Sequence, residues 1–451
     1  MNQSARPVVR RGKPTRARWT ILWLVFLGLA ISYIDRANLA VALPYMQHDL
    51  GLAAGLGGLL LGGFYWTYSV LQLPFGHAVD RAGPRFLFGA AVLWWSVCTA
   101  ATSVVSGFGA LFGLRLLLGA GEAAAFPASV KAVGTWFPPS ERGIATGIYV
   151  SGARCGTLLS VPVVTALIGW IGWRSSFIAT GALGVVWAAV WVWHYRAPRE
   201  HRGVSESELA LITEGREAPA PGQERPAIPW LEMLRHRNVL AVSLGYFCIT
   251  FVEYFFITWF PSYLVQDLGF TLLQLGVFGT IPAFSAILGQ WSGGYVADAL
   301  VRRGLTVTRA RKSCIVGGAL TSSVIAVAAF VRSPGLALAL LSISTAALTF
   351  ADASVWCLPA DLSPRDQGPD VGWEGSIAGI VNGISNLAGI ASPAVIGLAV
   401  GMTHSFVFGL VTAGVLAIVA VLIFVFGVGP IEPLRPGNSG AESRNQAESA
   451  S

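Results

Sequence analysis

Charge is what this 451-residue chain has least of. Asp, Glu, Lys and Arg together make up 12% of it, about half the ~25% usual in soluble domains. So little charge against so much apolar content excludes an intrinsically disordered chain and a nucleic-acid module. Cysteine is rare too. The five (Cys98, Cys155, Cys248, Cys314, Cys357) are odd in number and lie inside apolar segments, so no secreted disulfide scaffold is implied. The six histidines are scattered and mostly near segment ends, which suggests no metal site. The one Gly-Lys pair, Gly12-Lys13, has no glycine five residues before it. A phosphate loop is therefore absent, and neither ATP nor any other cofactor is expected.

What is present is apolar. Hydrophobic residues make up 54% of the chain, with 53 Gly, 16 Trp and 24 Phe. At ~22 residues per crossing, a chain of this length holds twelve membrane spans with room for loops. Twelve apolar segments are read at about 20–45, 56–78, 86–106, 109–131, 142–168, 175–195, 238–261, 273–297, 313–331, 336–359, 375–398 and 404–428. The fold class expected is an all-α membrane protein with two six-helix bundles. The first segment runs past residue 40 with Asp35 and Arg36 inside it, so it reads as a retained span and not a cleaved signal.

Basic residues orient the spans. The presumed inner stretches hold six in the tail 1–19, seven in 196–237 and five in 298–312. The presumed outer loops hold only Arg174 and Arg332, so both termini are expected on the cytoplasmic side. Residues 196–237 carry fourteen charges and five prolines and form a cytoplasmic linker, with a short helix at "SESELALI", between bundles 20–195 and 238–428. Residues 429–451 are expected to be a disordered cytoplasmic tail. A duplication joins the halves: Gly76-x-x-x-Asp80 after the second segment returns as Gly294-x-x-x-Asp298 after the eighth. Six plus six spans with a parallel repeat is a transporter architecture.

The stretch "GHAVDRAGPR" fills every specified position of G-x-x-x-D-R-x-G-x-R, with Gly76, Asp80, Arg81, Gly83 and Arg85. At that point the chain resembles the major facilitator superfamily. "ISYIDRANLAVALP", "FYWTYSVLQLPFG", "GAGEAAAFPASVKAVGTWFPPSERG" and "TWFPSYL" narrow the resemblance to its anion:cation symporter family. The resemblance covers roughly residues 20–430. It implies uptake of an organic anion, such as a sugar acid, tartrate or phthalate-type acid, with protons. It also implies a gating role for the motif loop, in which Asp80 meets a helix N-terminus of the other half with Arg142 nearby as a charge relay.

Seven charged residues lie inside the segments away from their ends: Asp35, Arg36, Arg115, Glu122, Arg154, Glu253 and Asp352. Each costs at least ~2.5–3.5 kcal/mol there. Arg36 suits a substrate carboxylate, which a guanidinium holds with two parallel hydrogen bonds. Asp35 and Glu122 suit proton coupling, with Arg115 as a counterion on the face shared with Glu122. The other reading is that these are internal ion pairs fastening the first and fourth spans. The resemblance to sugar-acid symporters implies the same roles for Asp35, Arg36 and Glu122, and puts Tyr33, Tyr68, Trp356 and Asn382 on the cavity wall. One departure stands out. Relatives often carry a glutamine near Ala153, whereas "SGARCG" supplies Arg154. A second fixed cation suits a diacid, unless it already pairs with Glu122 or Asp35. Glu253 and Asp352 keep open roles.

The expectation is therefore a non-enzymatic, proton-driven importer of an organic anion in a bacterial inner membrane. Its partners are the substrate, protons and the lipid bilayer, with no nucleic acid, and a monomer is expected. An exchanger or uniporter of the same fold remains an alternative. A solute receptor is disfavoured for want of a large soluble domain.

Overall fold

Long apolar runs punctuated by glycine and proline fold into stacked helices in the computed structural model, with no strand among the described residues. The structure describes residues 14–51, 54–213, 233–260, 263–264, 267–270, 274, 277–364, 373–403 and 405–434. Most of the basic tail (1–13), part of the linker (214–232) and most of the C-terminal tail (435–451) lie outside the described residues.

The helices are α1 (Ala17–Leu50), α2 (Ala54–Ala101), α3 (Phe108–Glu122), α4 (Ala125–Trp136), α5 (Arg142–His194) and α6 (Glu206–Ile212). They continue with α7 (Arg237–Thr258), α8 (Thr280–Arg302), α9 (Val307–Ser322), α10 (Ile325–Ala328) and α11 (Pro334–Val355). The last four are α12 (Leu358–Leu362), α13 (Glu374–Ser385), α14 (Ala388–Thr403) and α15 (Val407–Leu422). Among the described residues, eight stretches are long and apolar enough to cross a membrane, from Ala17–Leu43 to Val407–Gly427. The α8 and α9 regions, read from sequence as spans, are helical but are not among these eight, and α9 carries Arg309, Arg311 and Lys312 in its first two turns.

Three local features shape these helices. The long α2 is two helical pieces meeting at Gly83, whose φ of 78° and ψ of 153° an L side chain rarely adopts. Pro84 then starts the second piece, where its missing N–H costs nothing. Gly172, with φ 79°, divides α5 in the same way. Breaks also follow Glu122, Val355 and Ser385. Two of these breaks precede a proline near the start of the next helix, Pro127 and Pro359, which removes a backbone donor there.

The linker helix α6 begins where the sequence reading put it. Ser205 caps it, accepting from the Glu208 backbone N–H at 3.2 Å. The buried Glu208 carboxylate in turn accepts from the backbone N–H groups of Ala17 and Arg18, each at 3.2 Å, and from Arg18 Nη1 at 3.0 Å. A carboxylate at a helix N-terminus satisfies orphan donors and opposes the helix dipole. The linker therefore clamps the start of α1. Lateral packing joins α1 to α5 and α2 to α3 on the N-terminal side, and α8 to α11 and α9 to α11 on the C-terminal side. The two sides meet where α2 packs on α13 and α5 on α8.

Candidate functional site

Adjacent on α1, Asp35 and Arg36 go separate ways, as the ~100° step between neighbours requires. Arg36 extends to Glu122 at the end of α3, with Nε 2.6 Å from Oε2, and Ser32 also donates to that oxygen at 2.7 Å. The rings of Tyr33, Phe64 and Tyr68 each stand 4.5 Å from the guanidinium carbon. They enclose the cation and attract it by their faces. Arg36 Nη2 and Glu122 Oε1 are buried without hydrogen-bond partners among the described residues. The guanidinium thus keeps a donor free beside its ion pair.

Asp35 turns instead into the packed interior, 1% exposed, with Trp95 and Thr180 as facing polar side chains. Neither carboxylate oxygen reaches hydrogen-bond geometry with a described residue. Arg115 differs from expectation. It forms no ion pair with Asp35 or Glu122 within 4 Å among the described residues, and its Nε donates to the Leu60 carbonyl at 3.2 Å. Seven residues along α3 put Arg115 on the face of Glu122 but about two turns away, beyond direct contact.

Arg154 is a clearer correction. It is not an uncompensated second cation, and its partner is neither Glu122 nor Asp35. Its Nη1 lies 2.8 Å from Glu253 Oε1 on α7. A charge in a low-dielectric interior takes the nearest opposite charge, and here that charge comes from the second half of the chain. Trp356, at the α11–α12 break, stacks on Phe126 of α4 with centroids 4.7 Å apart. Asn382 is buried, and its Oδ1 accepts from Asn386 Nδ2 at 2.8 Å. Asn386 in turn accepts from the Tyr254 hydroxyl at 3.0 Å, so it ties α7 to the α13–α14 break.

The motif loop builds a different structure. Both Asp80 oxygens accept backbone N–H groups at the start of α13, Gly375 at 2.9 Å and Ser376 at 2.6 Å. Lys131 of α4 lies 3.5 Å from Asp80 and 2.8 Å from Glu374. Gly76 is a glycine because a methyl there would strike the Gly375 carbonyl. The repeat reproduces this latch. Asp298 accepts from the N–H groups of Gly143 at 2.8 Å and Ile144 at 2.6 Å, at the start of α5, and a methyl on Gly294 would strike the Gly143 carbonyl.

Arg142 belongs to this second latch and not, as expected, to a relay with Asp80. It donates to Asp361 at 2.6 Å, and Arg311 bridges Asp361 and Asp298 at 3.2 Å to each. Arg142 opens α5, the helix that meets α8, whereas Asp80 faces α13. Arg81 and Arg85 are exposed, and Arg85 donates to the Val192 carbonyl at 3.1 Å. Lys131, Glu374, Arg311 and Asp361 were not singled out from sequence. The available signal was Lys131, nine residues beyond Glu122 in an otherwise uncharged run.

The sequence matches the Major Facilitator Superfamily over residues 25–393. It is 34% identical over 433 residues to the D-galactonate transporter of Escherichia coli O6:H1, covering 94% of this chain and 98% of that one. It is 33% identical over 449 residues to the "Probable galactarate/D-glucarate transporter GudP" of Bacillus subtilis, covering 96% of each. The structure of the proton:xylose symporter XylE superposes with a TM-score of 0.71 at 15% identity, over 92% of this chain and 96% of that one.

Proposed function

The chain belongs to the Major Facilitator Superfamily, a family of membrane transporters, and on that footing we propose that it imports a carboxylate anion of the sugar-acid class by proton symport. The helices are read as twelve spans in two bundles, 20–195 and 238–428, joined by the linker 196–237, with both termini in the cytoplasm of a bacterial cell. The protein works as a monomer in the inner membrane.

The observation that carries this reading is the Arg36 guanidinium. It is walled by three aromatic rings, bound by Glu122 through Nε, and left with an unpartnered Nη2. A substrate carboxylate accepts from the free edge of Arg36, where Tyr33 and Tyr68 shape the wall and Trp356 and Asn382 close the far side. A proton on Glu122 weakens its hold on Arg36 and so admits the anion. Asp35 is buried on a different face of α1 and acts on protons alone. Energy comes from the proton gradient.

The latches at Asp80 and Asp298 hold the cytoplasmic side shut in this conformation. They must open for release, and their hydrogen bonds then bias the inward–outward equilibrium. The test is uptake into proteoliposomes of a panel of mono-, di- and aromatic acids, with and without an inward pH gradient. Accumulation of a sugar acid only with the gradient is expected. Equal uptake without it would replace symport by exchange or facilitated diffusion. Arg36→Lys keeps the charge but loses the planar fork, so near-normal apparent affinity in that variant would remove Arg36 from the binding role.

A further inference from the structure

Apart from the Arg36–Glu122 pair, a second group of charges joins the N-terminal and C-terminal helices. Arg154 of α5 and Glu253 of α7 pair at 2.8 Å, with 22% and 21% of their side chains exposed. Asp352 of α11 faces both and is only 2% exposed. Its Oδ1 has no hydrogen-bond partner among the described residues. Its Oδ2 accepts from Gln290 of α8 at 3.2 Å, with the glutamine amide turned so that its oxygen takes the Ala353 N–H. The other titratable groups facing the cluster are phenols: Tyr33 from α1, Tyr149 from α5, and Tyr246 and Tyr254 from α7. Among the described residues, Arg154 is the cation within ion-pair distance of Glu253, and none lies within that distance of Asp352. One guanidinium cannot neutralise two carboxylates, so the cluster carries surplus negative charge unless it holds a proton.

We propose that Arg154, Glu253 and Asp352 form a second proton-binding site, which loads one additional proton when the substrate carries a second carboxylate. The proposal rests on the symport reading above and adds to it. A proton from the outer solution bonds to Glu253 Oε1, and the ion pair with Arg154 opens. The second carboxylate of the substrate then takes the place of Glu253 on Arg154. Nothing is oxidised or reduced. On the inner side the substrate leaves, the proton passes from Glu253 to water, and the pair closes again. Asp352 keeps the cluster short of positive charge, which favours the proton's arrival. A monoacid held by Arg36 brings nothing to displace Glu253, so no further proton travels with it.

The test uses the purified full chain in proteoliposomes, with D-galactonate as monoacid and galactarate as diacid. The number of protons moved per anion is read from the pH and voltage gradients that balance net flux. Galactarate should move one proton more than galactonate. In Glu253→Gln the galactarate count should fall by one while the galactonate count stays the same. Where galactarate alone is carried, that fall decides the matter. If Glu253→Gln does not fold, the difference between the two acids in the unmodified protein decides it. Equal counts in the unmodified protein, a variant that lowers both counts or neither, or uptake of galactonate without galactarate would overturn the second site. Uptake of neither acid, or of either without protons, would overturn the symport reading as well.

Discussion

The latches at Asp80 and Asp298 share one backbone design and have opposite side-chain charges. In each, an aspartate accepts two consecutive N–H groups at the start of a helix from the other side of the molecule. Around that shared cradle, the first latch has a cation in the middle of α4, Lys131, and an anion opening α13, Glu374. The second has an anion in α12, Asp361, and a cation opening α5, Arg142. A buried ion pair is neutral in either orientation, so the repeat constrains only the aspartate and the amides. The reversal has a cost, however. Asp361 brings a second carboxylate beside Asp298, and Arg311, fully buried, is the added cation that bridges them. Where Lys131 itself approaches Asp80, no such bridge is required.

The largest effect follows from removing that bridge. Arg311→Gln removes the cation that bridges two buried carboxylates and should destabilise the closed latch by about 3–5 kcal/mol. A fall in thermal stability and increased labelling of an introduced cysteine behind the latch would register it. Adding Asp361→Asn should restore part of the loss, and strict additivity would break the comparison. Next comes the charge swap Lys131→Glu with Glu374→Lys. If orientation alone mattered it would be silent. It puts a carboxylate beside Asp80 without an Arg311 equivalent, so a loss of about 2–3 kcal/mol is expected by the same measurements. Gly76→Ala and Gly294→Ala should then cost similar amounts, roughly 1–3 kcal/mol each, because each methyl meets a backbone carbonyl of the facing helix. Unequal losses would show that the two backbone contacts are not equivalent. The smallest change is Arg81→Ala, within about 0.5 kcal/mol of neutral in a stability scan, because the side chain is exposed.

Much of the fold was readable because hydropathy and turn chemistry are local. The "DRAGPR" stretch announces its own turn, since Gly83 takes a positive φ and Pro84 restarts the helix. "SESELALI" carries its own cap in Ser205. Intramembrane charge also marked Arg36, Glu122 and Arg154 as residues needing partners, and the step between Asp35 and Arg36 followed from helix geometry. Partners were harder to read. The motif reading puts Arg142 beside Asp80 as a relay, whereas the structure gives it Asp361 from the second half of the chain. Glu253 gave no sign in the sequence that it would meet Arg154. Arg115, which shares a helix face with Glu122, took a carbonyl instead of a carboxylate.

The sequence by itself determined the solvent of this protein, the helical character of its segments, the places where those helices turn, and which charges had to be compensated. Each of these depends on a residue and its near neighbours along the chain, through transfer free energy, backbone sterics and helical spacing. Only the tertiary structure decided how the charges were divided among partners. An ion pair depends on a few ångströms between side chains that are distant in sequence, and in a low dielectric the nearest opposite charge outweighs every more remote alternative. That is why a duplicated aspartate motif holds one latch with Lys131 and the other with Arg311, a difference that no repeat in the sequence displays.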